Sequence, residues 1–133
     1  MSGIKELSHL LSEMRPKLNE GRYVFTKVDA SFQIHFTDIL ALFKEEENTT
    51  LVLKKEKADT LDLPYEGVFS WITLSVHSSL EAIGLTAAVS KALTKHKISC
   101  NVVAAYYHDH IFIAENDAKK AITILKNLSL NAN

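Results

Sequence analysis

Apolar positions along this chain change period several times, and each change marks an element. Ile4, Leu7, Leu10, Leu11 and Met14 recur at helical spacing; Ser2 can cap the start, and Pro16 stops the helix soon after Met14. Asn19-Glu20-Gly21 reads as a turn, and Tyr23 to Val28 alternates as a strand does. Ile39 to Glu46 fits both periods: Ile39, Leu42 and Phe43 suit a helix, whereas Ile39, Ala41 and Phe43 suit a strand. A strand is favoured, because Glu47-Asn48 makes a tight turn and the β-forming Leu51-Val52-Leu53 follows at hairpin distance. Lys55 to Leu61 is then a short helix. Asp62 to Gly67 carries Pro64 and Gly67 between two periodic segments, which marks an internal boundary.

Beyond that boundary the pattern is clearest. In Val68 to Val76, the residues Val68, Ser70, Ile72, Leu74 and Val76 point one way, and Phe69, Trp71, Thr73 and Ser75 the other. A loop at His77-Ser78-Ser79 leads into a helix with the stripe Leu85, Ala88, Val89, Ala92 and Leu93, ending near Lys97. Ile98 to Tyr106 and Ile111-Phe112-Ile113 are two more strands. Asn116 or Asp117 caps a last helix, whose inner face is Ala118, Ala121, Ile122, Leu125 and Leu128. The order strand, helix, strand, strand, helix predicts a split βαβ of the ferredoxin-like kind. Each helix has one apolar stripe, so both should cover one face of an antiparallel sheet.

The first half repeats part of this. Leu51-Val52-Leu53 followed by Ala58 resembles Ile111-Phe112-Ile113 followed by Ala118, 60 positions on (111 − 51 and 118 − 58). Only about ten residues separate the first strand of that half from its hairpin, too few for a crossover helix. The expected fold is therefore α+β, with two ferredoxin-like modules over residues 1–64 and 68–133, the N-terminal one degenerate.

Composition narrows the function classes. Hydrophobic residues make up 47% of the 133, enough for a real core. Fifteen basic residues face sixteen acidic ones, for a formal charge of −1, without the basic stripe of a nucleic-acid binder. The runs Lys44-Glu45-Glu46-Glu47 and Lys54-Lys55-Glu56-Lys57 read as a solvated turn and a helix start. Cys100 is the single cysteine, so no intrachain disulfide forms. Without a membrane-length apolar run or a signal-peptide pattern, the expectation is a soluble cytoplasmic protein.

The stretches Val76-His77-Ser78-Ser79-Leu80-Glu81-Ala82-Ile83-Gly84-Leu85-Thr86-Ala87-Ala88-Val89, Ile98-Ser99-Cys100-Asn101-Val102-Val103-Ala104 and Tyr106-Tyr107-His108-Asp109-His110-Ile111-Phe112-Ile113 resemble uncharacterised bacterial proteins built from two ACT modules. Leu51-Val52-Leu53 and Leu63-Pro64-Tyr65-Glu66-Gly67 also fit that family, so the resemblance runs nearly end to end. It implies βαββαβ-type modules, side-by-side association into a homodimer or larger homo-oligomer, and binding of an amino acid or similar small metabolite in a regulatory role. Unlike in amino-acid-controlled enzymes, no attached catalytic domain is expected.

Ser78, Ser79, Gly84, Leu85 and Thr86 sit where a strand ends and a helix begins. Free backbone N–H groups and the helix dipole make such a junction a carboxylate site. Glu81 would meet an α-amine, and Asn101, with Val102 beside it, offers an amide from the strand expected alongside. The bland alternative is that a serine merely caps the helix and Asn101 ends a hydrogen-bond ladder. His108 and His110, two apart, would share one strand face with His77 as a third ligand, but a closed zinc site needs about four. A hairpin turn with partly exposed histidines is the reading taken, and no metal or cofactor is expected. Nucleophilic catalysis needs a nucleophile, a base and an orienter. Cys100 lies in an apolar strand, and Ser78 or Ser79 beside His77 lacks the strand-Gly-x-Ser-x-Gly-helix context, so no enzyme is expected. Trp71, Tyr106 and Tyr107 would stack on bases only in a basic setting, which is missing.

Overall fold

The computed structural model describes residues 6–77 and 83–132. These fall into two compact units: those up to residue 20 together with those from residue 70 on, and residues 21–69. In this division the N-terminal segment groups with the C-terminal half.

In the first unit, α1 (Leu7–Ser12) leads into β1 (Pro16–Leu18). Pro16 therefore does more than stop a helix. It opens a strand at the first position, where its missing N–H costs least. Ser2 and Ile4 of the expected helix lie outside the described residues. β1 pairs antiparallel with β5 (Phe69–Leu74), Pro16 opposite Leu74 and Leu18 opposite Ile72. β7 (Asp109–Ala114) lies on the other side of β5, and β6 (Asn101–Ala104) beyond it, giving the order β1-β5-β7-β6. The strand expected over Ile98 to Tyr106 is thus shorter. Ile98 instead closes α3 (Leu85–Thr94): its N–H donates to the Leu93 carbonyl at 3.1 Å, with Lys97 left-handed at φ 60°.

One face of this sheet is covered by helices. Ile72, Leu74, Ile111 and Ile113 meet Leu10 and Met14 from the N-terminal segment, Leu85, Val89 and Leu93 of α3, and Ala121 and Leu125 of α4 (Ala118–Leu130). The i, i+4 stripe of α3 and the inner face of α4 are as the periodicity predicts. Asp117 precedes α4 but makes no side-chain cap, since a 3-10 turn at Glu115–Asp117 already holds it in helical backbone geometry.

The second unit contains β2 (Tyr23–Val28), β3 (Ala41–Lys44), β4 (Thr49–Lys54) and α2 (Lys55–Thr60), with strand order β3-β4-β2. The segment Ile39–Glu46, which fits both periods, is a strand over Ala41–Lys44. The Glu45 N–H donates to the Asn48 carbonyl and closes the hairpin where expected. Tyr23 pairs with Phe69, and the Phe25 and Phe69 rings meet edge to face at 5.4 Å. Val24, Val28, Leu51, Leu53 and Ala58 form the core, with Phe32, Ile34 and Ile39 packed against it. Thr26 shares that buried face and donates to the Pro64 carbonyl at 2.6 Å, so its hydroxyl is satisfied.

The internal repeat is structural. β3 and β6 start at 41 and 101, and β4 and β7 at 49 and 109, both 60 apart. The first strands start at 23 and 69, only 46 apart. The 14-residue difference falls in the crossover, where α3 stands in one unit and the other has residues 29–40 with a 3-10 turn at Phe36–Asp38.

Candidate functional site

In the first unit the end of β5 is fastened from two sides. The Val76 N–H donates to the Met14 carbonyl at 3.3 Å, and His108 Nδ1 donates to the Val76 carbonyl at 3.1 Å. His108 belongs to the β6–β7 turn, which the split topology brings beside the strand end. The His77 ring lies 5.7 Å from Tyr107, and Tyr107 packs on Tyr106 at 4.9 Å, both tyrosines largely exposed. The sequence groups His77 with His108 only as candidate metal ligands, and it is the fold that sets Tyr107 beside both rings. Only the adjacency of that turn to β5, which follows from a split βαβ, signals the grouping.

The junction continues at α3. Gly84 occupies the N-cap at φ 96°, a left-handed conformation that favours glycine, and no side chain caps the helix there. The first amides of α3 therefore have no capping side chain among the described residues. Leu85 is buried in the core, so its side chain packs inward, and Thr86 is half-buried. Ser78, Ser79 and Glu81 lie outside the described residues.

Asn101 and Val102 are placed elsewhere. Asn101 opens β6 opposite Phe112 and donates its Nδ2 to the Phe112 carbonyl at 3.3 Å. Its neighbour is β7, not β5. It stands three residues from Ala104, roughly 10 Å along the strand from the turn that meets Val76. Alternation puts Asn101 on the sheet face of Phe112, away from the helices, and Val102 on the helix-covered face beside Ile111. The structure groups Gly84, Leu85 and Thr86, and separates Asn101 from them.

His108, Asp109 and His110 do not converge. The two histidines face one side of β7 with rings 6.4 Å apart, whereas Asp109 shares the opposite side with Ile111 and Ile113. Among the described residues no group of three or more His, Cys, Asp or Glu is placed to hold an ion. Burial pushes the Asp109 carboxyl above its ordinary range, with His108 opposing the shift. Cys100 packs against the core; burial raises its thiol pKa and a Ser90 contact only partly offsets this, which suits an inert side chain rather than a nucleophile.

His110 is tied into a chain of polar groups. Trp71 Nε1 donates to His110 Nδ1 at 3.0 Å, Thr73 Oγ1 lies 3.1 Å from the same nitrogen, and Asn19 Nδ2 donates to Thr73 Oγ1 at 2.9 Å. An indole N–H only donates, so Nδ1 must accept, and a proton there would face another donor. Burial and the His108 charge both hold the imidazole below its usual value of 6.5. The folded state then binds fewer protons than the unfolded chain just below pH 6.5. Stability is expected to be full above that pH and to fall as pH drops toward the folded value. Denaturant melts of wild type and His110→Gln on either side of pH 6.5 test this. The variant should lose that part of the slope, and an unchanged slope would exclude His110 as its source. Asp109 contributes with opposite sign, losing stability as pH rises above 3.8, and cancels in the difference between the two proteins.

Comparison with known proteins follows this geometry. An ACT-domain family profile matches residues 2–70, and a second ACT-domain profile matches residues 67–127. A Vibrio cholerae protein of unknown function, described as a possible transport protein, is 46% identical over 96% of this chain and 99% of its own, with a TM-score of 0.83. An Agrobacterium tumefaciens protein shares 19% identity over 86% of this chain and 87% of its own, with a TM-score of 0.71. The ligand-free regulatory subunit of aspartate kinase from Thermus thermophilus shares 8% over 85% of this chain and 96% of its own, with a TM-score of 0.61, a likeness of fold alone. Nothing among the curated proteins matches. No helix among the described residues is long and apolar enough to cross a membrane. With the strand order β5-β7-β6, helices on one sheet face and both halves matched, the chain belongs to the ACT-domain family.

Proposed function

We propose that this protein is a regulatory module without catalytic activity, acting in the cytoplasm, that binds an amino acid or similar small metabolite as a homodimer or larger homo-oligomer. The observation carrying this is the start of α3, where Gly84 stands at the N-cap and no side chain among the described residues caps the first helix amides. A ligand carboxylate satisfies such donors and complements the helix dipole. Ser78, Ser79 and Thr86 would add hydroxyl groups, Leu85 its backbone N–H, and Glu81 an acceptor for the α-amine. Asn101 and Val102 lie on β6, which ends the strand order and leaves one ladder edge open, so they would reach a ligand from a second copy of the chain. The fold likeness to an aspartate kinase regulatory subunit supports a regulatory role by analogy only.

Thermal shift against each standard amino acid at millimolar concentration tests the proposal. A ligand at a hundred times its Kd adds about 2.7 kcal/mol, a shift of several degrees for a chain of this size. The shift should vanish in Ser79→Ala/Asn101→Ala. No response to any amino acid would remove the amino-acid form of the proposal, and an unaltered response in the double variant would remove the site.

A further inference from the structure

The outer edge of the second unit is open in two ways. β3 ends the strand order, so one side of its backbone has no ladder partner. The Glu45 N–H donates to the Asn48 carbonyl, which makes Glu45 and Asn48, Phe43 and Thr50, and Ala41 and Val52 the hydrogen-bonded pairs of the hairpin. The N–H and C=O groups of Leu42 and Lys44 therefore point outward, and among the described residues nothing bonds to them. Natural edges are blunted by charge, proline or a bulge. β3 has Lys44, yet Leu42 is 48% exposed and Phe43 70% exposed, one on each face.

The second opening is a cavity of about 350 Å³ beside this edge, between residues 29–40 and the sheet. In the first unit α3 covers the matching face with Leu85, Val89 and Leu93, whereas here Phe32, Ile34 and Ile39 stand in for a helix. The register sets Leu42 and Lys44 opposite Leu51 and Thr49, and all four line the cavity. A strand added to β3 would therefore set every second side chain at the cavity mouth. Phe32, Ile34, Ile39 and Leu51 make the walls apolar, so an apolar side chain fits there, and the volume admits an aromatic ring. The hairpin turn carries Glu45, Glu46 and Glu47, all exposed, and Asp29 lies at the cavity. Against Lys44 alone, that excess of acid favours a basic partner. A second copy of β3 matches poorly: on this face it brings only Leu42 and Lys44, which already line its own cavity.

We infer that the β3 edge is a docking site for an extended basic segment of another protein, which adds a strand antiparallel to β3 and places one bulky apolar side chain in the cavity beside Leu42. Main-chain hydrogen bonds to Leu42 and Lys44 supply affinity, and the cavity supplies selectivity. Antiparallel pairing is slightly the more stable per residue, and it sets the N-terminal end of the segment, with its basic residues, against Glu45, Glu46 and Glu47. The next side chain along points to the other face and meets Phe43. This site is separate from the start of α3 and does not rest on the function proposed there.

NMR of the full chain, titrated to millimolar concentration with the peptide acetyl-Lys-Lys-Thr-Val-Phe-Thr-amide, tests the inference. The peptide should move the Ile34, Ile39, Leu42 and Leu51 methyl signals and slow hydrogen exchange at the outward amides of Leu42 and Lys44. Replacing its Phe by Ala should weaken binding roughly tenfold or more, since a buried ring is lost. Methylating the Phe nitrogen, which blocks the bond to the Leu42 carbonyl, should weaken it as well. Replacing both its lysines by glutamates should weaken it most at low salt. Free phenylalanine should move the same signals far less. In the protein, Lys44→Pro removes an outward N–H and no bond of the hairpin, so it should abolish docking and keep the melting temperature. The peptide variants carry the test independently of that substitution. No binding of the parent peptide would overturn the inference, as would binding indifferent to the Phe, its N–H or the lysines, or matched by free phenylalanine. Leu42 and Lys44 amides already protected in the free chain, through a self-association that Lys44→Pro dissolves, would also overturn it and give the edge to a second copy.

Discussion

Residues 68–133 expressed alone are expected to lose the cooperative unfolding of the full chain, although the sequence pattern marks them as a module. Leu10 and Met14 are fully buried in the core that α3, α4, β5 and β7 share. Each contributes about 1.5–3 kcal/mol by burial, so removing both costs about 3–6 kcal/mol. That is a large part of the roughly 5–15 kcal/mol that holds a typical protein folded. The truncation also strips β1 from Leu74, Thr73 and Ile72 and leaves β5 with an open edge. It removes Asn19 as well, whose N–H and side chain both donate to the Trp71 carbonyl. Circular dichroism melts and amide NMR dispersion of the fragment give the answer. A sharp transition near that of the full chain would show that the N-terminal segment is dispensable. In the full chain, Leu10→Ala should cost about 2–5 kcal/mol by the same reasoning.

Leu53→Ala should cost a similar amount, about 2–5 kcal/mol, but with a different distribution. The core of the second unit is built around only Val24, Val28, Leu51, Leu53 and Ala58, with Leu53 fully buried. Leu51 and Leu53 are its two largest buried side chains, so its remaining members have little capacity to close the gap. The core cluster of the first unit holds thirteen buried apolar residues among the described residues, and Leu125→Ala there leaves a better-supported surround. Hydrogen exchange should therefore show amides of β2 and β4 losing protection in Leu53→Ala before those of β5 and β7. Uniform loss across both sets would show that the two units open together.

The two halves differ in how much of them could be read in advance. Alternation in Tyr23–Val28 and Phe69–Leu74 and the i, i+4 stripe of α3 predicted their elements closely, because one buried face imposes a period on the residues that line it. The ambiguous Ile39–Glu46 segment resolved as a strand because its hairpin partner at Thr49–Lys54 supplies the ladder. The 60-residue repeat survived for the same reason, since equal strand and turn lengths preserve register. For the candidate site the pattern placed Gly84 and Thr86 at a helix start, where composition is informative. It did not separate Asn101 from them, since which strand neighbours which is no local property.

The sequence by itself determined most of the elements and the reduced crossover of the second unit. Only the tertiary structure decided that residues 16–18 complete the sheet of the C-terminal half, that Asn101 looks to the face away from α3, and that residues 29–40 roof a cavity. Periodicity reports which side of an element is buried. It carries no label for the surface that does the burying, and three residues such as Pro16–Leu18 are too few to show a period at all.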